Sequence, residues 1–198
     1  MAKKAESTLL NMVLVLTIIA VVSAAALAML NNVTKDPIAA AKQAKTEAAI
    51  KDVLPEFASL KDGKTMLDGD KDSTKYNLAY NASDELVGVA VESSTEKGFN
   101  GHIGVMVGFD AQGNISGYSV LETQETPGLG SKAGEWFQKD GKGSIIGMNP
   151  ATNNMTVSKD GGEVDAITAA TISSRAFCDA ITRAYQVFNQ VKGGQNNE

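Results

Sequence analysis

Residues 165–175 read Asp-Ala-Ile-Thr-Ala-Ala-Thr-Ile-Ser-Ser-Arg, a run of small and hydroxyl side chains that leads into an amphipathic segment. Beyond Thr171, apolar residues recur at the three- and four-residue spacing of one helix face: Phe177, Ala180, Ile181, Ala184, Phe188 and Val191. The first N–H groups of a helix have no internal acceptor, and the helix dipole makes that end electropositive. A phosphate group at this helix start would therefore be stabilised, and Ala169 and Ala170 would let it approach the backbone closely.

A plain helix cap is the alternative interpretation of the same residues. Asp or Thr before a helix commonly accepts a hydrogen bond from the first turn, and hydroxyl residues are frequent there. This segment alone leaves both interpretations of Thr171 open, and the choice between them depends on the rest of the chain.

A second segment, residues 125–130, reads Glu-Thr-Pro-Gly-Leu-Gly and follows a predicted strand. Proline fixes one φ, and the two glycines permit backbone geometries that other residues avoid. We expect a tight loop that holds Leu129 outward between Gly128 and Gly130. A simple turn requires Pro-Gly, but it does not require Glu-Thr before it or Leu-Gly after it.

These two segments resemble the Asp-x-x-Ser/Thr-Gly-Ala-Thr-x-Ser/Thr and Glu-Thr-Pro-Gly-Leu-Gly motifs of covalent FMN-binding domains. In that family the last Thr of the first motif carries FMN through a phosphodiester bond, and the loop lines the flavin. The resemblance implies covalent FMN on Thr171. It also implies a set of cofactor-binding residues: Thr168, Ala169, Ala170, Ser173, Glu125, Thr126, Gly128, Leu129 and Gly130.

The chain departs from the family pattern at two places. Ala169 stands where the family has Gly, so a positive φ there would be costly. Thr123 and Gln124 precede the loop where relatives often carry His-Lys. A third match, Gly-Phe-Asn-Gly-His-Ile at residues 98–103, is similar to the family's entry into a strand. Three motifs in the family order carry more weight than any one of them.

The N-terminal residues 9–30 form an uncharged, mostly apolar run. As a helix this run spans roughly 33 Å, which is enough to cross a bilayer. Lys3 and Lys4 precede it and favour a cytoplasmic N-terminus. The sequence therefore predicts a cytoplasmic segment (residues 1–8), one transmembrane helix, and an extracytoplasmic FMN-binding domain (residues 31–198).

A cleaved signal peptide is the alternative, because Ala26-Leu27-Ala28 resembles a cleavage site. The apolar run continues to Leu30 and is longer than a typical signal core, which favours a retained anchor. A pilin-like start is disfavoured, since no Gly precedes the run and Glu6 lies outside it.

Composition excludes several classes of function. The 198 residues carry a net charge of −5 and no basic patch, which argues against a nucleic-acid partner. Cys178 and His102 are the only residues of their types, so no metal site, haem site or Ser-His-Asp triad is predicted. Cys178 falls within the C-terminal helix, where a packed small side chain is expected. No catalytic residues are assigned.

The secondary-structure pattern predicts an α+β fold with a largely antiparallel sheet, flanking helices and one N-terminal transmembrane helix. Helices are predicted at residues 37–54, 131–138 and beyond 171, and a loop at 62–75. Strands are predicted at residues 75–80, 86–93, 102–109 and 114–121, with a weak strand at 155–158.

The absence of an acid–base set favours an electron relay over an enzyme that acts on a small molecule. The chain resembles the G subunits of Rnf-type electron-transport complexes in its anchor, its domain, its loop and its C-terminal Thr. The resemblance covers nearly the full length of the chain. The resemblance implies an inner-membrane, single-pass subunit of an ion-translocating ferredoxin:NAD oxidoreductase. It also implies other membrane subunits as partners and a flavin transferase for maturation.

Several alternative functions stay open from sequence alone. The related C subunit of sodium-pumping NADH:quinone reductase shares the motifs but is usually longer. A stand-alone membrane-tethered flavin reductase would act without partner subunits. A non-redox surface or scaffold domain would use Thr171 only as a helix cap.

Overall fold

The computed structural model describes residues 8–67 and 73–195, and the chain divides into two compact units, one up to Ala44 and one from Lys45 onward. Residues 1–7 of the predicted cytoplasmic segment lie outside the described residues. So does the part of the predicted loop at residues 68–72.

Helix α1 (Leu9–Val53) begins with the apolar run, and its side chains up to residue 30 are exposed. Among the described helices it alone is long and apolar enough to cross a membrane. The hydroxyl of Thr17 donates to the carbonyl of Val13 at 2.8 Å, and that of Thr34 donates to Leu30 at 2.8 Å. Because these polar groups bond within the helix, they do not oppose burial in hydrocarbon.

The predicted helix at residues 37–54 is the second part of α1 rather than a separate element. Pro37 lies inside the helix, although the sequence placed it near a helix start. Residues 31–36 contain no glycine to end the preceding helix, and an interior proline, which removes one hydrogen bond and crowds the carbonyl four residues earlier, can kink a helix without ending it. The predicted end is confirmed, because α1 stops two residues before Pro55.

The domain is built on a five-stranded antiparallel sheet in which each strand pairs with the next along the chain. This order confirms the predicted α+β class with a largely antiparallel sheet. The strands are β1 (Ser59–Thr65), β2 (Thr74–Tyr80), β3 (Leu86–Gly98), β4 (Gly101–Asp110) and β5 (Ile115–Thr123).

Strand β1 was missed, and the prediction of a loop over residues 62–75 was wrong at both of its described ends. β1 is an edge strand with mostly exposed side chains, so it needs backbone pairing to β2 but no apolar alternation. Gly63 leaves room for the Tyr76 ring, and the Lys61 ammonium lies 4.5 Å from the centre of the Tyr80 ring. Neither contact leaves a strand-like pattern in the sequence.

Strand β3 also extends five residues beyond its predicted end. Its last residues are polar and bond to the C-terminal helix instead of packing against it. Thr95 Oγ1 donates to Asp179 Oδ2 at 2.7 Å, and the Lys97 ammonium lies 2.6 Å from Asp179 Oδ1. Polar contacts of this kind leave no periodic apolar signal.

Helix α3 (Thr171–Gln195) covers one face of the sheet, as its apolar face predicts. Its core is rich in aromatic rings, with Phe137 and Phe177 stacked at 4.3 Å between centroids. Cys178 is buried here, and burial raises the pKa of its thiol to about 12. The thiol therefore stays protonated at neutral pH and packs as a small apolar group, as expected.

The end of α1 covers the opposite face of the sheet. A Cβ on Gly108 would overlap the backbone of Val53, and one on Gly117 would lie 3.0 Å from its Cα. The two glycines thus allow the helix to lie directly on β4 and β5. Ser116 Oγ donates to the Val53 carbonyl at 2.5 Å and satisfies one of the orphan carbonyls at the helix end.

Between β5 and α3 the chain forms short turns. Residues 130–132 make a 3-10 turn that continues into α2 (Ala133–Trp136), in agreement with the predicted short helix. The predicted strand at residues 155–158 does not form. Only Val157 pairs, through a single parallel bridge to Val164, because a 3-10 turn begins at Ser158.

Candidate functional site

The β3–β4 hairpin supplies the first wall of the site. Gly98 pairs with Gly101, which has a φ of +98°, so Phe99 and Asn100 form a two-residue turn. Phe99 is 64 % exposed, a high value for a large apolar side chain. The third sequence motif therefore places an apolar ring at the surface where the chain reverses.

The loop at residues 125–130 supplies the second wall. Gly128 has a φ of +78°, and its N–H donates to Ser131 Oγ at 2.9 Å. The Leu129 N–H donates to the carbonyl of Thr126 at 3.1 Å. Leu129 is 41 % exposed, so the loop holds it outward between two glycines, as the sequence predicts.

The start of α3 supplies the floor. The Ser174 side chain holds the residues just before α3 in place. Its Oγ accepts a hydrogen bond from the Ile167 N–H at 2.9 Å and donates one to the Ala170 carbonyl at 2.9 Å. The first intrahelical bond runs from the Ser174 N–H to Ala170. The N–H groups of the three preceding residues therefore lie ahead of the ladder at the electropositive helix end.

Ala169 adopts a φ of +63°, in the left-handed region that glycine prefers. The sequence identified Ala169 as the position where the family has Gly, and a positive φ there as costly. The backbone keeps this conformation in spite of the side chain. The segment before α3 is thus held by its surroundings in a strained turn, with the methyl group exposed.

The Glu125 carboxylate joins the two walls and the floor. It is 6 % exposed, Oε2 accepts from the Ser173 hydroxyl at 2.7 Å, and Oε1 accepts from the Asn100 N–H at 3.4 Å. A Cβ on Gly130 would overlap Glu125 and Ser173, and one on Gly98 would also meet the carboxylate. Both glycines are therefore required for the carboxylate to fit.

These walls enclose a pocket of about 300 Å³. It brings together eight of the ten predicted site residues, drawn from both motifs. The lining residues are Phe99, Glu125, Thr126, Leu129, Gly130, Ala169, Ala170, Thr171, Ile172 and Ser173. Thr168 and Gly128 do not line this pocket. Thr168 is exposed beside it, and Gly128 shapes the loop.

A basic group lies beside the Thr171 hydroxyl. The Lys159 ammonium lies 3.2 Å from Thr171 Oγ1. The adjacent Asp160 accepts two hydrogen bonds from Arg175, at 2.7 and 2.8 Å. These bonds hold the pKa of the Asp160 carboxyl below its usual value and raise the pKa of the Arg175 guanidinium.

The residues present fit an FMN group. Phe99, Leu129 and Ile172 form an apolar, exposed rim suited to a flat ring system. The N-terminal end of α3 and Lys159 suit the phosphate, because both favour an anion. Because Gly130 has no side chain, the loop packs closely on α3. This packing brings the apolar rim and the start of α3 into one pocket.

Three contributors were not assigned to the site from sequence. Phe99 lay in a quoted motif, but that motif was interpreted only as a strand entry. Ile172 lies between the predicted site residues Thr171 and Ser173, but its apolar side chain gave no indication of a role in binding. Lys159 is twelve residues from Thr171 and reaches it only through the tertiary fold.

The glycine at position 130 provides a test of the packed carboxylate. We expect Gly130→Ala to lower the unfolding free energy by about 1–3 kcal/mol, because its Cβ would overlap Glu125 and Ser173. Gly134→Ala is the matched control, since a Cβ there has no neighbour within 4 Å. Denaturant unfolding of the full chain in detergent measures both, and equal stability of the two variants would contradict this packing.

The strained turn provides a second test. Ala169→Gly removes the left-handed penalty of about 1–2 kcal/mol but adds unfolded-state entropy, so we expect a net gain of about 0.5–1 kcal/mol. Ala170→Gly is the control and should lose about 0.5–1 kcal/mol, because Ala170 has no positive φ. Unfolding midpoints of the two variants measure the difference. A destabilised Ala169→Gly would show that the turn is not strained.

Known proteins similar to this chain agree with the geometry. The FMN-binding domain family matches residues 98–186, a range that begins at the hairpin turn and ends within α3. The RnfG N-terminal region family matches residues 1–53, and α1 ends at Val53. The two matches therefore correspond to the helical segment and to the part of the domain that contains the pocket.

Whole-chain relatives extend this similarity. The G subunit of an ion-translocating oxidoreductase complex from Vibrio atlanticus is 34% identical over 192 residues, covering 89% of this chain and 88% of the relative. The corresponding G subunit from Vibrio vulnificus is 34% identical over 189 residues, covering 89% and 87%. The G subunit of a Na(+)-translocating ferredoxin:NAD(+) oxidoreductase complex from Acetobacterium woodii is 27% identical over 188 residues, covering 90% of each chain.

Coverage of nearly the whole of each relative, the two family matches and a pocket built from the expected motifs all agree. The chain belongs to the family of G subunits of Rnf-type ion-translocating oxidoreductase complexes and carries its FMN-binding domain.

Proposed function

We propose that this chain is a membrane-anchored flavoprotein subunit that relays electrons through FMN attached to Thr171 by a phosphodiester bond. It does so within an Rnf-type, ion-translocating ferredoxin:NAD oxidoreductase complex. The observation that carries the proposal is the convergence of three distant sequence motifs on one pocket with Thr171 in its lining.

Different pocket residues would hold the phosphate and the ring of the cofactor. The first N–H groups of α3 and the Lys159 ammonium favour the phosphate at Thr171. Leu129, Ile172 and Phe99 offer apolar surface for the ring. When bound, FMN would supply one- and two-electron redox chemistry, and the protein would contribute attachment, orientation and tuning.

The lining supports a relay rather than an enzyme that transforms a small molecule. Among the described lining residues, only Glu125 carries a carboxylate or an amine. One of its oxygens accepts a hydrogen bond from Ser173 and the other accepts one from Asn100. A general acid or base would need to reach a substrate, and this buried, hydrogen-bonded carboxylate does not. The exposed apolar rim leaves the ring position open to a neighbouring electron carrier.

The membrane assignment rests on α1 and on charge near its start. Residues 9–30 would span the bilayer once, with residues 1–8 in the cytoplasm because Lys3 and Lys4 favour that side. Residues 31–198 would then lie outside the cytoplasm, on the outer face of the inner membrane. Covalent attachment would keep the flavin in place there, where free FMN would diffuse away.

Partners follow from the same proposal. Other membrane subunits of the complex would exchange electrons with the flavin, as the names of the relatives suggest. Thr171 has no general base within the described pocket lining that is free to activate it, so a separate flavin transferase would form the bond. A stand-alone reductase would instead reduce an acceptor without subunits, and a scaffold domain would carry no flavin.

Replacement of the acceptor hydroxyl tests the proposal. We expect the full chain, coexpressed with a flavin transferase, to gain the mass of FMN less one water, and Thr171→Ala to gain nothing. Loss of the hydroxyl near the helix start should cost only about 0.5–2 kcal/mol, so the fold should persist. Intact mass spectrometry after denaturation makes the measurement.

Thr182→Ala is the matched control, because Thr182 lies in the same helix and its hydroxyl bonds to the Cys178 carbonyl within that helix. It should load like the wild type. A mass gain in Thr171→Ala, or none in a wild type exposed to an active transferase, would reject Thr171 as the attachment residue.

A further inference from the structure

Lys159 reaches the acceptor hydroxyl from a different part of the chain. Its ammonium lies 3.2 Å from Thr171 Oγ1 across twelve residues of sequence. It lies in an exposed 3-10 turn (Ser158–Asp160) and is not part of either flavin motif. The contact therefore depends on how this turn is held against the start of α3.

Backbone hydrogen bonds and an ion pair hold this turn in place. At one side, Val157 pairs with Val164, and the Ser158 N–H donates to the Val164 carbonyl at 2.8 Å. At the other side, Asp160 binds the Arg175 guanidinium through both oxygens. Arg175 lies one helical turn after Thr171, so the ion pair fixes the lysine turn beside the acceptor.

Lys159 acts on the Asp160 carboxylate through its charge, and its ammonium bonds to the Thr171 hydroxyl. Asp160 is the acid next to it in sequence, but both of its oxygens accept hydrogen bonds from Arg175. Lys159 donates instead to a neutral hydroxyl. The Lys159 ammonium gains more from a phosphate anion than from a neutral hydroxyl, because only the anion adds the attraction between two opposite full charges.

We propose that Lys159 binds the phosphate oxygens of the phosphodiester on Thr171, and that the Asp160–Arg175 ion pair positions it. This inference rests on the proposed function. During attachment the Thr171 hydroxyl loses its proton, Oγ bonds to the phosphorus of a flavin phosphoanhydride donor, and the bond from that phosphorus to the leaving phosphate breaks. The proton passes to the leaving phosphate, and the Lys159 ammonium bonds to an oxygen of the new phosphodiester.

Loading kinetics provide the first test. The full chain is incubated with a flavin transferase and its flavin donor, and the mass gain is followed with time. We expect Lys159→Gln to load about tenfold more slowly, the effect of losing one hydrogen bond to a charged group. Lys159→Arg, which keeps the charge, should recover to within about threefold of the wild type.

Lys64→Gln is the matched control, because it removes the same charge from an exposed position on edge strand β1. It should load within about twofold of the wild type, the scale of a surface charge effect. Equal loading rates for Lys159→Gln and Lys64→Gln would overturn the inference.

Lysine labelling provides a second test without any substitution. Wild-type chain is prepared with and without the transferase, and each sample is acetylated with an amine reagent and digested. Lys159 should be acetylated about three- to tenfold more slowly in the loaded chain, because the phosphate engages its amine. Lys64 serves as the internal reference and should react equally in both samples.

The two failures can be told apart. A loaded wild type with equal Lys159 labelling in both samples would overturn the role of Lys159 and leave attachment at Thr171 intact. A wild type that does not load at all would overturn the proposed function, and the inference with it.

Discussion

The site depends on one buried carboxylate. Glu125 is almost fully removed from solvent, and a buried carboxylate is tolerated only when hydrogen bonds replace the water it has lost. Ser173 and Asn100 supply those bonds from the helix start and from the hairpin turn. Gly98 and Gly130 leave the space that the carboxylate occupies. Three segments that are far apart in sequence are thereby fixed against each other.

The sheet order makes this meeting possible. β4 begins where β5 ends, since Ile103 pairs with Thr123. The β3–β4 turn and the loop after β5 therefore leave the same end of the sheet as neighbours. Helix α3 lies across the face of the sheet and starts at that end, so Thr171 comes to the same place. The hairpin turn, the loop at residues 125–130 and Thr171 thus meet at one end of the sheet.

Much of this arrangement could be predicted from the sequence, because its signals are local. Short runs of β-favouring residues divided by turn residues predicted four strands, and the helical spacing beyond residue 171 predicted α3. The Glu-Thr-Pro-Gly-Leu-Gly run predicted a loop with an outward Leu129. Strand β1 gave no such signal, because an exposed edge strand needs only backbone pairing. Lys159 gave none either, because only tertiary packing brings it to Thr171.

Ala169 shows a different limit of sequence reasoning. The sequence identified the cost of a positive φ at this position but not whether the chain would adopt one. The structure adopts it, because Ser174 fastens the segment on both sides of the turn. Local preference is thus overridden by a hydrogen-bonded frame, which is how strained residues persist at functional sites.

The Glu125–Ser173 hydrogen bond joins the loop at residues 125–130 to the start of α3. A double-mutant cycle measures it most directly, with unfolding free energies of the full chain in detergent for Glu125→Ala, Ser173→Ala and the combined variant. We expect a coupling energy of about 1.5–3 kcal/mol, the usual strength of a hydrogen bond to a charged group. A coupling energy of about zero would show that the two side chains act independently and would contradict the account.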